Sequence, residues 1–287
     1  MIYKVYLTNV FTDGIFSGAK VAVAILNGAG RETLLKNLAV EISLPVTAYV
    51  LPRDDDFLVR FFTLDGEVAQ ADQAALASAH VLREAGLWPF KQAVSLLSRS
   101  GRLEIRFMAA SGEFGLSLDA CRSEKLEAAG PLISALGLRA EEVISVEKSG
   151  LLAMVYCRRL ESLEKADFRE ELWPRLKNFS GLIVSAPSGS FEGQGYETRA
   201  FYREMPKSGD KIFFDTGVMD LGFHGPAATF WGRHLAVDQL KARPYSARDG
   251  ALTATLSPSS GQVVIGGRVK TILTSSPVAD ELKEPQT

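Results

Sequence analysis

"FFTLDGEVAQADQAALASAHVL", Phe61 to Leu82, decides the fold. Its opening reads as the end of a strand, LDGE as a turn, and the part from Asp72 onward as a helix. Ala and Leu make that helix apolar nearly all round, which calls for burial on every side rather than on one face. The flanking segments supply the cover. IYKVYLTNVF, KVAVAIL, TAYVLP and FLVRFFT read as strands upstream, and LLSRSGRLEIRFM and EFGLSLD downstream. RETLLKNLAVEISL has helical spacing through Leu34, Leu35, Leu38 and Ile42.

The second half repeats this plan. EVISVEKSG, LLAMVYC, GLIVSAPSG, YETRAFYREM and DKIFFDTGVM are strand segments. HGPAATFWGRHLAV is a second buried helix, opened by Gly225-Pro226, since proline suits a first helical turn where its missing N–H costs nothing. Short helices are expected around Leu132 to Leu136 and in LEKADFREELWPRL, and GALTATL, GQVVIGG and RVKTILTS close the chain as strands. After each buried helix comes the same phrase, Arg99, Gly101 and Leu103 in one half and Arg248, Gly250 and Leu252 in the other. Repetition at this scale predicts an α+β chain of two similar domains related by a pseudo-two-fold. The expected domains are residues 1–120, joined by a returning strand at 268–276, and residues 121–267, with 277–287 a tail. A cleft between similar domains is a usual place for a small molecule. If the halves are so related, both buried helices aim their N-termini into it, an arrangement suited to a carboxylate.

Composition excludes several functions. The net charge of −2 calls for no nucleic acid and no anionic membrane as partner. No window approaches the roughly 18 apolar residues of a membrane span, and the alternating start MIYKVYLTNVF lacks the charge and apolar run of a signal peptide, so a cytoplasmic location is expected. Cys121 and Cys157 have no metal-type spacing, and no clustered His/Cys pattern occurs, so no metal is expected. SAPSGSFEGQG, Ser185 to Gly195, lacks the Lys-Ser/Thr of a phosphate loop and reads as a lid or plain loop. No G-x-S-x-G elbow supports a Ser-His-Asp triad.

The motifs now become specific. VFTDGIFSGAKVAVAIL, ISLPVTAYVLP, VRFFTLDGEVAQADQAALASAHVL, GVMDLGFHGPAATFW and ARDGALTATL…VVIGGRVKTIL resemble, in order and over nearly the whole chain, the segments of the PhzF phenazine-biosynthesis-like family. That resemblance implies a diaminopimelate-epimerase-like architecture, each domain a β-sheet or barrel wrapped around a central helix. It also implies a cofactor-free isomerase that moves a proton on a small molecule, and a homodimer. Yet the family's Glu of S-E-T falls on Val46, and its Cys-Gly-His falls on Ala71, Asp72 and Gln73. Its Asn-Pro falls on Ala19 and Lys20. In the second half, anchoring on Gly225 places its Asp on Leu221, its Glu on Asp220, its Thr on His224 and its Ser on Pro226. A one-residue slip returns Asp220 to the Asp position. The frame is kept and the family's working groups are mostly replaced.

Other polar groups stand in their place. His224, activated by Asp220 four residues earlier, is the expected catalytic group, the two acting as proton carriers, because imidazole shuttles protons near neutrality; the alternative is a loop histidine with no role. Asp72 is expected first as an N-cap bonding the N–H of Ala74 or Ala75, and only second as a base. Gln73, Ala74, Val46, Lys20, Gly225, Pro226 and Ala227 are the expected substrate-binding positions. Glu67 is expected to fix its loop through backbone N–H groups, Arg60 to be structural or near the cleft, and Arg99 and Arg248 to brace turns. His80 and His234 are expected as hydrogen-bonded core residues. Three functions fit: a divergent isomerase, a binding protein that has lost its chemistry, and an assembly role through loops such as Phe201 to Phe214.

Overall fold

The computed structural model describes residues 2–53, 56–88, 93–119, 123–167, 178–202, 221–245, 250–257 and 259–275. They fall into two units, one of residues up to 116 with those from 266, the other of 117–202 and 221–265.

In the first unit, β1 (Ile2–Val10) pairs antiparallel with both β2 (Ala19–Leu26) and β17 (Val269–Ser275). β2 runs parallel to β3 (Thr47–Pro52), and the crossover carries α1 (Glu32–Ile42). β3 turns back antiparallel on β4 (Phe57–Phe62), and the short β5 (Glu67–Val68) pairs with the end of β4. β4 then runs parallel to β6 (Ala93–Ser98) across a crossover that carries α2 (Asp72–Glu84). β7 (Gly101–Met108) and the start of β8 (Glu113–Asp119) complete the antiparallel meander. All of α2 except His80, Arg83 and Glu84 is buried, and it packs on β1, β2, β3, β7 and β17. The all-round apolar pattern read from the sequence is thus answered by strands on several sides.

The second unit repeats the order. A two-residue β9 (Glu124–Lys125) precedes α3 (Gly130–Ala135), and β10 (Val143–Ser149) pairs antiparallel with β11 (Leu152–Cys157). β11 runs parallel to β12 (Gly181–Pro187), with α4 (Leu160–Lys165) between them in sequence. β13 (Gly195–Tyr202) pairs antiparallel with β12 and parallel with β14 (Gln239–Pro244), and α5 (His224–Leu235) lies between β13 and β14 in sequence. β15 (Leu252–Ser257) pairs antiparallel with β14, and β16 (Gln262–Gly267) follows. The senses along β1-β2-β3-β4-β6-β7 alternate antiparallel and parallel, as do those along β10-β11-β12-β13-β14-β15. In both series the buried helix occupies the fourth connection, the second of the two parallel crossovers. The repeat seen as R-x-G-x-L is therefore a repeat of topology, and the chain is α+β.

Some sequence expectations shift. α5 begins at His224, one residue before the expected Gly225. The Ser185–Gly195 stretch is not one loop: Ser185 to Pro187 end β12, Gly189–Phe191 form a 3-10 turn, and Gly195 opens β13. The strand DKIFFDTGVM, most of the Phe201–Phe214 loop, Arg248, Cys121 and the tail lie outside the described residues, as does the part of LEKADFREELWPRL from residue 168.

The loop that joins β1 to β2 is tied down. Phe11 has a positive φ of 59°, and the buried Asn9 donates from Nδ2 to the Ile15 carbonyl at 2.8 Å. Gly18 closes the loop at φ 78°, where an added Cβ would collide with the Val10 carbonyl. Backbone on backbone leaves no side chain to move aside, so Gly18→Ala should cost at least about 3 kcal/mol in denaturant unfolding. Gly101, at φ 120° with open space around its Cβ position, provides the contrast. Gly101→Ala should cost less, about 1–3 kcal/mol, from backbone strain alone.

Candidate functional site

α2 starts without help from a capping side chain. Ala71 is the N-cap, with φ −150° and ψ 93°, and its carbonyl accepts from the N–H of Ala75 at 3.0 Å. Asp72 is therefore not the cap that its residue type suggests. It is the first helical residue, its carboxylate accepts from the Gln70 side-chain amide, and it is only 1% exposed. The helix dipole favours a negative charge at that position. Gln73, also 1% exposed, follows it, and its Oε1 has no hydrogen-bond partner among the described residues. An amide oxygen left so costs the fold about 1–3 kcal/mol. Ala74, beside it, is fully buried.

Val46 is buried just before β3, and its carbonyl accepts from the Ala22 N–H at 3.2 Å. Its side chain is hydrocarbon and carries no proton. Thr47 also has an unpartnered buried hydroxyl among the described residues, but it belongs to another face. Strand alternation puts it on the side of Tyr49, whose hydroxyl donates to the Leu35 carbonyl of α1 at 2.7 Å. Lys20 is exposed on β2. Glu67 does not hold its loop through backbone N–H groups. Its carboxylate accepts two bonds from Arg60, at 2.8 and 2.7 Å, and one from Arg99 at 3.4 Å. The Arg60 bonds hold its carboxyl below the usual carboxylate range.

The entrance of α5 differs. Phe223 is its N-cap and no side chain caps it. The His224 N–H donates to the Leu221 carbonyl at 2.9 Å, that of Ala227 to Phe223 at 3.2 Å, and Pro226 has none. Of the first turn, Gly225 alone is left to offer a donor. The two expected anion-binding helix ends thus differ: one keeps the Gly225 donor and the other already carries a carboxylate.

His224 is not a loop residue. It is 2% exposed, its ring lies 4.1 Å from that of Phe223, and Nδ1 shares a 3.1 Å hydrogen bond with the hydroxyl of buried Tyr196. Burial pushes its pKa down to about 3. An imidazole so placed is neutral at pH 7 and a weaker base than a free one. Asp220 lies outside the described residues. Gly225, Pro226 and Ala227 are buried in the same turn.

The other histidines divide. His80 bonds Thr271 Oγ1 at 3.1 Å and sits 3.2 Å from Glu84, as a structural residue should. His234 is not a core residue: it is exposed, like Arg233 beside it in the last turn of α5, and stacked on Phe230.

Two buried networks of the second unit escaped the sequence. Trp231 donates to Ser185 Oγ at 2.7 Å beside the rings of Tyr156 and Tyr196. Glu197, 1% exposed, accepts from Ser188 Oγ at 2.7 Å and from Arg243 at 3.0 Å. The only sequence signal for the second was a glutamate inside an otherwise strand-like run. Glu197→Ala would leave Ser188 without its acceptor and Arg243 with only the Ser190 hydroxyl, and should lower unfolding stability by about 2–3 kcal/mol. Glu197→Gln, which keeps an acceptor, should lose less than half of that.

Comparison with known proteins agrees over the length of the chain. The family model for phenazine biosynthesis-like proteins (PhzC-PhzF) matches residues 8–172. An uncharacterised isomerase of Pseudomonas aeruginosa is 28% identical over 270 residues, 93% of this chain and 96% of that protein. The crystal structure of a PhzF-family phenazine biosynthesis protein from Enterococcus faecalis superposes with a TM-score of 0.80 at 23% identity, covering 97% of this chain and all of that one. A hydroxyproline epimerase from Agrobacterium vitis, solved with trans-4-hydroxy-L-proline, matches with a TM-score of 0.54 at 12% identity over 96% of this chain and 92% of its own. These two structures speak for the fold, which is epimerase-like.

Proposed function

The chain belongs to the phenazine biosynthesis-like family, and from that membership we propose that it is a divergent, cofactor-independent isomerase acting by proton transfer on a small metabolite. The observation that carries the proposal is the buried polar pair at the entrance of α2. Asp72 and Gln73 are each 1% exposed at the start of a helix that is buried over most of its length. They stand where the sequence resemblance places the family's Gly-His. An unsatisfied buried amide is a cost to folding that a bound ligand offsets.

In this reading the Asp72 carboxylate takes a proton from a carbon beside a carbonyl. The C–H bond breaks, the O–H bond forms, and the electron pair moves to the carbonyl oxygen. One negative charge is present before and after the transfer, so the same helix N-terminus stabilises both states. Return of the proton to a different carbon, or to the other face, completes an isomerisation. Gln73 orients the ligand. His224 stays neutral, bonded to Tyr196 within its own unit. A homodimer belongs to the same reading and is open to light scattering.

The test is solvent exchange. With a metabolite mixture in D2O, the protein should move deuterium into one component, seen as a one-mass-unit gain, and Asp72→Asn should slow this by about 10²–10⁴-fold. A second reading, binding without turnover, is favoured by Val46, which puts buried hydrocarbon where a second proton carrier would stand. Ligand-induced stabilisation with no deuterium gained by any component would decide for it.

A further inference from the structure

The first residue of α5 keeps one ring nitrogen without a partner among the described residues. We infer that His224 is a neutral imidazole with its proton on Nε2, fixed in that form by Tyr196, and that this N–H receives an oxygen acceptor of a small ligand, a carbonyl or a carboxylate. The inference stands on the second unit alone and does not depend on Asp72.

Counting hydrogens decides the form. The Tyr196 hydroxyl is fully buried, and its 3.1 Å contact with His224 Nδ1 is its one hydrogen bond among the described residues. Were Nδ1 to carry the proton and donate, the hydroxyl hydrogen would be stranded without an acceptor, at a cost of about 1–3 kcal/mol. With the hydroxyl donating to Nδ1 that cost is gone, and the imidazole proton lies on Nε2. Burial disfavours a second proton on the ring.

Nε2 is also within reach. The sealed side-chain atoms without a partner among the described residues are Thr47 Oγ1, Gln73 Oε1, Trp88 Nε1 and the Tyr156 hydroxyl, and Nε2 is not one of them. The 2% of His224 that solvent touches therefore includes Nε2. The ring is held between Phe223, at 4.1 Å, and the Tyr196 bond, so its N–H keeps one direction. The ligand class follows from charge and lone pairs. The N–H belongs to the first residue of a twelve-residue helix, where the dipole favours electron-rich groups. An oxygen lone pair suits both the donor and the dipole. An ammonium suits neither, since it has no lone pair to offer and its charge opposes the dipole.

The test uses the full-length protein labelled with nitrogen-15 and reads the two ring nitrogens of His224, assigned by their absence in His224→Gln. At pH 7 Nε2 should carry the proton and Nδ1 should not. Acetate and acetone should shift Nε2 saturably, and methylammonium should leave it in place. Acetate should saturate at about three-fold lower concentration than acetone, the dipole adding for an anion; the reverse order would keep the donor and name a carbonyl ligand. A proton found on Nδ1, no shift with either oxygen probe, or an equal shift with methylammonium would overturn the inference. The result separates from that of solvent exchange. Deuterium incorporation slowed by Asp72→Asn, with the His224 proton on Nδ1, would sink this inference and leave the isomerase. Oxygen probes bound as described, with no metabolite exchanging, would do the reverse.

Discussion

Val46→Glu is expected to cost the fold about 3–5 kcal/mol at neutral pH, although glutamate is what the family motif carries at that position. Val46 is fully buried, and its backbone is engaged with Ala22. A carboxylate placed there loses its water, and the family's histidine, which could have paired with it, is Gln73 here. The pH dependence separates charge from size. Burial raises the folded-state pKa of the new carboxyl above its unfolded value of about 4.3, so the penalty is largest above the folded pKa and fades as pH falls toward the unfolded one. Urea unfolding of Val46→Glu and Val46→Gln at several pH values measures both. The two variants should converge near pH 4 to 5 and diverge above it, by the linkage just given. A glutamate tolerated at pH 7 without loss would mean that the position still has the polar surroundings of a working site, and the divergence proposed for this chain would fall.

The sequence carried the frame of this molecule because the frame is encoded locally. The apolar runs of α2 and α5 can be read from their own residues, and R-x-G-x-L marks the strand hairpin that follows. Gly101 takes φ 120° at that hairpin, a conformation that side chains disfavour. The polar detail was not legible because it is made across the fold. Whether Ala71 or Asp72 caps α2 turns on where one residue leaves the extended conformation, which residue type alone does not fix. Glu67 pairs with Arg60 across two strands, and Glu197 with Arg243 across a parallel pair whose register no short-range pattern reveals. His234 looked buried because its helix is buried, but the last turn of α5 exposes both Arg233 and His234. How many donors the α5 entrance keeps is likewise a matter of the folded turn: Pro226 has no N–H, and the Leu221 and Phe223 carbonyls take two more.

His224→Gln should flatten the acid limb of the stability curve. Burial lowers the folded-state pKa of His224 from 6.5 to about 3. Between those values the unfolded chain binds a proton at this residue and the native chain does not. Stability therefore rises with pH across that window, by up to about 1.4 kcal/mol per unit from this one group. The contribution is present in full above the unfolded pKa and is lost as pH falls through the window. Glutamine can keep a hydrogen bond to Tyr196 but has no proton to take up, so the variant should lack this slope while being close to wild type near pH 7. His80, which burial also holds low, is unchanged in both proteins and cancels in the difference. Denaturant midpoints of the two proteins from pH 4 to 7.5 give the comparison, and parallel curves would show that His224 titrates normally. The same argument reaches the chemistry. A histidine neutral throughout that range contributes no inflection to an activity profile near pH 6.5. Any acid limb in solvent exchange would then belong to a carboxylate, and its disappearance in Asp72→Asn, with persistence in His224→Gln, would place the proton on Asp72.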